Sequence, residues 1–181
     1  MAQNATLDGT SDRGGWVNES AGTSNIHTSA DTTSAGSDFI QGEVGFDSAP
    51  VGPAIFTLSD VTDPESTSDH KIIYTALATA GGFMGTPGLT IALFEGTTQR
   101  HRTTNNSVST SSATQYTINL TFGGGGNTST ISDYSNLILR VTNAGAEMGD
   151  NIKVFNMYFQ CGDAPAGGGV TTSPAFLLFM E

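Results

Sequence analysis

The sequence has few charged residues and no clear helical pattern. Charged side chains make up 13% of the 181 residues, against about 25% in typical domains. In their place the chain has 23 glycines and many serines and threonines, a composition that suits strand surfaces and tight turns better than helices. No amphipathic stretch of ten or more residues predicts a helix, so we expect an all-β fold.

Cysteine is almost absent, which limits how the fold can be stabilised. Cys161 is the only cysteine, so an intrachain disulfide is excluded. A chain of this length can bury roughly 70% of its unfolded surface and does not need a cross-link. Because Cys161 alternates with Phe155, Met157 and Phe159, we interpret it as a small core residue; the alternative is a reactive thiol.

Positive charge is also scarce, and this excludes several partners. The chain has 17 acidic and 6 basic residues, a net charge of −11, whereas nucleic-acid binding needs clustered Lys and Arg. The one basic cluster, Arg100, His101 and Arg102, is too small for that role. No run approaches the ~20 apolar residues of a membrane span, and the first residues lack the pattern of a secretory signal.

No motif predicts catalysis, a cofactor site or a transition-metal site. The three histidines lie far apart in predicted loops, without metal-ligand spacing, and we interpret each as a surface histidine: His27, His70 and His101. The glycine run at residues 123–126 has no lysine near it, so we expect a flexible turn there and no phosphate loop. We therefore expect no enzyme and no cofactor.

One acidic stretch could bind calcium. Residues 59–70 contain four acids around a proline: Asp60, Asp63, Glu65 and Asp69. Oxygen ligands at short spacing suit calcium, but this stretch lacks the regular ligand spacing and central glycine of an EF-hand loop. We favour a solvated connection with local turns and keep the calcium loop as the alternative.

Alternation of apolar and polar residues predicts most of the strands. The clearest are Tyr116–Phe122, Leu137–Thr142 and Lys153–Gln160, and the last two are expected to pair as a long hairpin through the turn at 143–151. Weaker or shorter candidates are 39–46, 54–58, the central strand 71–80, and 89–94, with 98–114 as a loop or weak edge strand. Six side chains are expected to be buried between two sheets: Ile118, Leu120, Leu139, Val141, Phe155 and Phe159.

Polar segments at both ends are expected to be arms outside the main domain. Residues 1–36 have almost no apolar periodicity, and Trp16 is their main anchor, more readily a packing residue than a sugar platform. Residues 162–181 consist of a Gly- and Pro-rich linker followed by an apolar tail. The candidate partner-interface residues are Trp16, Phe176, Leu177, Leu178, Phe179 and Met180. The alternative is that the tail forms a last strand of its own domain.

About eight short strands with turns between them predict an antiparallel β-sandwich of the jelly-roll type over residues 37–161. Three segments within it carry a family resemblance: Phe56–Pro64 (FTLSDVTDP) with His70–Tyr74 (HKIIY), Leu89–Thr97 (LTIALFEGT), and Ile131–Val141 (ISDYSNLILRV). They resemble the jelly-roll structural proteins of tailed bacteriophage virions, and the resemblance covers about 100 residues, from Pro53 to Cys161. The resemblance implies a non-enzymatic capsid or tail component.

The function expected from the resemblance is capsid decoration. Such a protein would lie on the outer surface of the head, bind the major capsid protein, and form a homotrimer. The acidic charge balance fits a position away from packaged DNA. The alternative is a receptor- or carbohydrate-binding module of a tail fibre or spike, with a glycan stacked on one of the large aromatic residues: Trp16, Tyr74, Tyr116, Tyr134 or Tyr158. An accessory carbohydrate-binding module of an enzyme is a third and less favoured hypothesis.

Overall fold

The fold is all-β, as predicted. The computed structural model describes residues 2–43, 52–65, 68–80, 87–120, 131–144 and 150–163. In these ranges the strands are β1 (Gln3–Asp12), β2 (Val17–Asn18), β3 (Ile40–Glu43), β4 (Ala54–Leu58), β5 (Lys71–Thr79), β6 (Leu89–Glu95), β7 (Thr98–Asn105), β8 (Thr114–Asn119), β9 (Leu137–Asn143) and β10 (Asn151–Cys161), with a 3₁₀ turn at Ile26–Ser29. Among the described residues no helix has the length and apolarity to cross a membrane.

The strands form two antiparallel sheets. Sheet A has β10 at its centre, with β5 and then β8 on one side, and β3 and the first half of β1 on the other. The two-residue strand β2 pairs with β3. Sheet B has the order β1 (second half), β4, β9, β6, β7.

This strand order is that of a jelly roll. Leaving out β2 and β3, which belong to the connection between β1 and β4, the two sheets read β1-β10-β5-β8 and β4-β9-β6-β7. From β4 onward, every connection crosses from one sheet to the other except the tight β6–β7 hairpin. Two sheets of four strands linked in this way are the double Greek key of a jelly roll, so the predicted architecture is confirmed.

The predicted hairpin between β9 and β10 is wrong. Both segments are strands, but β9 pairs with β4 and β6 in sheet B, whereas β10 pairs with β5, β1 and β3 in sheet A. Alternation identifies a strand with one buried face, and it carries no information about the pairing partner. The turn-rich composition between them supports a crossing between sheets as well as it supports a hairpin.

The predicted N-terminal arm is also corrected, because residues 3–18 are part of the sandwich. Strand β1 pairs with β10 over Gln3–Thr6 and with β4 over Leu7–Asp12, so it joins the two sheets along one side. Trp16 is 0% exposed and its indole Nε1 donates to the Gly52 carbonyl at 3.2 Å. The indole lies so close to Gly42 that a Cβ there would be 2.6 Å from Cε2.

The core lies between the two sheets, and it confirms four of the six predicted side chains. Leu120, Leu139, Val141 and Phe159 are buried. Ile118 is partly buried and packs against the core from the edge strand β8.

Phe155, the sixth, is only half-buried because β10 has a bulge. The register with β5 shifts between Val154 and Asn156, so the buried parity changes from Ile152 and Val154 to Met157 and beyond. Phe155 instead packs edge-on against Phe39 with the ring centroids 5.6 Å apart. A bulge places two residues opposite one and re-aims the side chains that follow.

Two predictions about single residues have opposite outcomes. Cys161 is buried and free, as predicted, and burial raises the pKa of its thiol to about 11, which leaves it protonated and poorly nucleophilic. His70 is no surface histidine, since its exposed fraction is 1%. Its Nε2 lies 2.7 Å from the Tyr134 hydroxyl and its Nδ1 lies 2.9 Å from the Ser68 carbonyl oxygen.

Candidate functional site

A groove with a volume of about 230 Å³ lies on the outer face of sheet B. Its walls come from the end of the loop before β4 and from strands β6, β7 and β9: Pro53, Thr90, Ala92, Phe94, Gln99, Arg102, Arg140 and Thr142. The lining residues of β6 and β9 alternate with core residues such as Leu93 and Leu139. The period of a strand therefore places the groove on the face turned away from the core.

Strand register explains why this face is concave. Ala92 is aligned with Arg102 on one neighbouring strand and with Arg140 on the other. Because paired strands lie about 4.8 Å apart, the two arginine Cα atoms are separated by roughly 10 Å. A methyl group between two long side chains leaves a depression, with Ala92 as its floor.

An aromatic ring fixes one of the two arginines. Phe94 is two residues beyond Ala92 on the same face of β6, and the Arg140 Cζ lies 3.9 Å from its ring centroid. A guanidinium over an aromatic face gains about 0.5 to 2 kcal/mol, depending on how far it is desolvated. The Arg140 Nε is buried and has no hydrogen-bond partner among the described residues. This side chain is therefore held in place with a donor left over.

Uncharged polar groups line the rest of the groove. Thr90 is aligned with Thr142 on β9 and with Thr104 on β7, and the Oγ1 atoms of Thr90 and Thr104 are 2.8 Å apart. Gln99 lies opposite Phe94 across the β6–β7 pair. The groove thus combines hydroxyl and amide groups with one aromatic ring and two guanidinium groups.

The groove is a basic site on an acidic protein. None of the described lining residues is acidic, and two of the six basic residues of the chain line the groove. The nearby Glu95 is already paired, since Arg100 Nη2 lies 2.7 Å from its Oε2 and the Ser132 hydroxyl donates to its Oε1 at 2.5 Å. Burial alone would raise the pKa of Glu95, but these bonds outweigh it and the pKa is lowered. Glu95 therefore stays ionised and engaged outside the groove.

The described lining side chains supply hydrogen-bond donors and acceptors for a polar ligand. Among them there is no Ser–His or Cys–His pair. In the part of the chain that the structure describes, no group of three or more His, Cys, Asp or Glu could hold a metal ion. In the acidic stretch, the Asp63 carboxylate accepts a bond at 2.8 Å from the Glu65 backbone, which is the local turn geometry of a solvated connection.

None of the residues predicted as interaction sites is among the described residues that line the groove. Trp16 lies in the core of its own domain. Phe176, Leu177, Leu178, Phe179 and Met180 lie outside the described residues, so the tail hypothesis stays a prediction.

Of the four tyrosines proposed as stacking faces, three are buried and the fourth has one face covered. Tyr74, Tyr134 and Tyr158 are buried. Tyr116 stacks on Tyr74 with the ring centroids 5.1 Å apart, so one of its faces is covered.

The sequence alone does not single out the groove residues, because each fits the pattern of its own strand. Arg102 belongs to a basic cluster too small for nucleic acid, and Arg140 is a polar residue in the alternating strand Leu137–Thr142. Phe94 is the last residue of the strand predicted at 89–94. The available signal was a large apolar residue on the same parity as Ala92, opposite to that of Ile91 and Leu93.

Comparisons with known proteins give little for this chain. No family model matches it, and no curated protein matches it. Among solved structures, TmCBM61 in complex with β-1,4-galactotriose is similar over 88% of this chain and 86% of that one, with 9% identity and a TM-score of 0.42. At that level of similarity neither the fold assignment nor the site rests on it.

Proposed function

We propose that this protein is a non-catalytic virion component that binds a carbohydrate in the groove on the outer face of sheet B. The observation that carries the proposal is the groove itself, in which Phe94 and Arg140 form a fixed pair beside the hydroxyls of Thr90 and Thr142. Placement on a virion is supported by the resemblance of three sequence segments to phage jelly-roll proteins.

The size and polarity of the groove suit a sugar. At about 230 Å³ it is smaller than the roughly 300–1,000 Å³ of pockets for drug-sized ligands, which matches a ligand of one or two sugar rings. A sugar presents apolar C–H faces and a rim of hydroxyls. The part of the Phe94 ring that Arg140 leaves uncovered can contact the first, while Thr, Gln and Arg side chains hydrogen-bond to the second.

Capsid decoration is the second proposal, and the observation that favours it is the charge of the chain. A net charge of −11 suits the outer surface of a head, away from packaged DNA, because like charges repel. Under this proposal the protein binds the major capsid protein as a homotrimer. It predicts that the protein co-purifies with intact heads in stoichiometric amount, and that variants of the groove residues bind heads as well as the wild type does.

A groove-filling variant tests the first proposal. We expect the purified protein to bind at least one carbohydrate on a glycan array, and Ala92→Phe to weaken that binding about tenfold or more in titration calorimetry. The matched control is Thr117→Phe, which adds the same ring to an exposed position on edge strand β8 of the other sheet. Both variants should keep the wild-type thermal midpoint within a few degrees.

Two results would count against carbohydrate binding. One is the absence of binding to any glycan on the array, which together with co-purification with heads would support decoration instead. The other is equal loss of binding in Ala92→Phe and Thr117→Phe, which would place the binding site outside the groove.

A further inference from the structure

We infer that the groove selects an acidic carbohydrate, whose carboxylate or sulfate group lies between Arg102 and Arg140. This inference rests on the proposed carbohydrate binding and narrows it to one chemical class. Guanidinium groups bind the oxygens of a carboxylate or of a sulfate through paired N–H donors. Such charge-assisted bonds are stronger than those to neutral hydroxyls.

Charge is the first argument. The chain has 6 basic against 17 acidic residues, yet the described residues that line the groove include two arginines and no acid. Arg100 shows the contrast, because it lies in the same strand as Arg102 and forms an ion pair with Glu95 at 2.7 Å. Two arginines on either side of Ala92, without a carboxylate among the described lining residues, are complementary to an anionic ligand.

The fixed position of the Arg140 guanidinium is the second argument. The ring of Phe94 lies 3.9 Å from Cζ and holds the guanidinium while it is free of ligand, and the adjoining Nε is buried. An acidic oxygen in the groove would bond to the terminal Nη groups of a guanidinium that is already oriented, which lowers the ordering cost of binding.

The two arginines differ in their surroundings. Arg140 is half-buried on the central strand β9, whereas Arg102 is exposed on the edge strand β7. The roughly 10 Å between their Cα atoms leaves room for a ligand group above Ala92. Arg140 thus serves as the fixed anchor, and Arg102 closes over the ligand from the opposite side. We expect loss of Arg140 to weaken acid binding more than loss of Arg102.

The test compares acidic and neutral probes of equal size on the full-length protein. The probes are trigalacturonate, a 6-sulfated galactotriose and neutral galactotriose, titrated by calorimetry at 150 mM salt. We expect at least one acidic probe to bind about tenfold or more tightly than the neutral one. Whether the carboxylated or the sulfated probe binds better identifies the acidic group.

Charge-removing variants locate the effect. Arg140→Gln and Arg102→Gln should each reduce the ratio of acidic to neutral affinity about tenfold or more. The control is Lys71→Gln, which removes one positive charge from sheet A, outside the groove, and should leave that ratio unchanged. Circular dichroism melts check that all three variants are folded.

The outcomes that would overturn the inference differ from those that overturn the proposed function. Equal affinity for acidic and neutral probes, both lost in Ala92→Phe, would refute acid selection and leave carbohydrate binding standing. Acid selection that survives in both arginine variants would refute the assigned site. Competition by sodium sulfate or acetate as strong as that of the acidic sugar would show a simple anion site. Binding of no probe would remove the proposed function along with the inference.

Discussion

Two phenylalanines on β10 allow a direct test of the fold. Phe155 and Phe159 are four residues apart and have the same strand parity, so simple alternation places both in the core. The bulge between Val154 and Asn156 separates them, leaving Phe155 half-buried and Phe159 at 0% exposure. Replacing each by alanine should therefore have very different consequences.

The expected costs follow from what each ring contacts. Phe159 packs between His70 and Tyr134, with ring centroids 5.6 and 6.4 Å away, and Phe159→Ala leaves a cavity there that costs about 3 to 5 kcal/mol. Phe155→Ala loses a partial burial and one aromatic pair with Phe39, about 1 to 3 kcal/mol in total. The side toward solvent can relax, so no closed cavity adds to the second figure.

Urea unfolding followed by circular dichroism measures both costs. If the m-value, which is the slope of the unfolding free energy against urea concentration, is unchanged, the shift of the urea midpoint gives the change in unfolding free energy. In a chain of this size each kcal/mol lowers the thermal midpoint by about 2 to 4 °C. Equal destabilisation by Phe155→Ala and Phe159→Ala would refute the bulge, because it would mean that both rings lie between the sheets.

Three further predictions concern buried groups. Burial lowers the pKa of His70, so the folded state binds fewer protons than the unfolded one. The contribution of His70 to stability is complete above about pH 6.5 and is lost as the pH falls, by up to about 1.4 kcal/mol per pH unit. His70→Gln should therefore flatten the dependence of the melting temperature on pH between pH 7.5 and 5. Gly42→Ala should lower the free energy of unfolding by about 1 to 3 kcal/mol, because the new Cβ would be 2.6 Å from the Trp16 indole. The control is Gly36→Ala, whose Cβ has no neighbour nearer than 3.9 Å and which should leave the melting temperature unchanged. Asn156 is buried with neither amide atom paired among the described residues, so Asn156→Leu should raise stability by about 1 to 3 kcal/mol in urea, and a fall would show that the amide has a partner.

Strands with one buried face could be predicted from the sequence because each carries its own evidence. Leu137, Leu139 and Val141 alternate with polar residues, and all three are buried. Strand β1 gave no such signal, since within QNATLDGTSD only Ala5 and Leu7 are apolar. It is a strand because β10 and β4 both offer unpaired backbone at its position, and this tertiary effect overrides local propensity.

Register and pairing could not be predicted, and the groove depends on both. Ala92, Arg102 and Arg140 meet only because β6 pairs with β7 on one side and with β9 on the other in one particular alignment. A shift of one residue in either pair would move an arginine to the core face. The bulge in β10 was hidden for a related reason, since neither Gly nor Pro marks residues 154–156.

Salt dependence connects the acidic surface with the basic groove. At 10 mM salt charges act over about 30 Å, so the net charge of −11 repels an acidic ligand as it approaches. At 150 mM salt this range falls to about 8 Å, so an acidic ligand in the groove responds mainly to Arg102 and Arg140. At 1 M salt the range is about 3 Å, and the attraction by the two arginines is screened as well.

We therefore expect the affinity for an acidic trisaccharide to pass through a maximum near physiological salt, while the affinity for the neutral trisaccharide does not change with salt. Titrations at the three concentrations check this, and a steady fall from the lowest salt upward would show that the acidic surface does not act on the ligand at the groove.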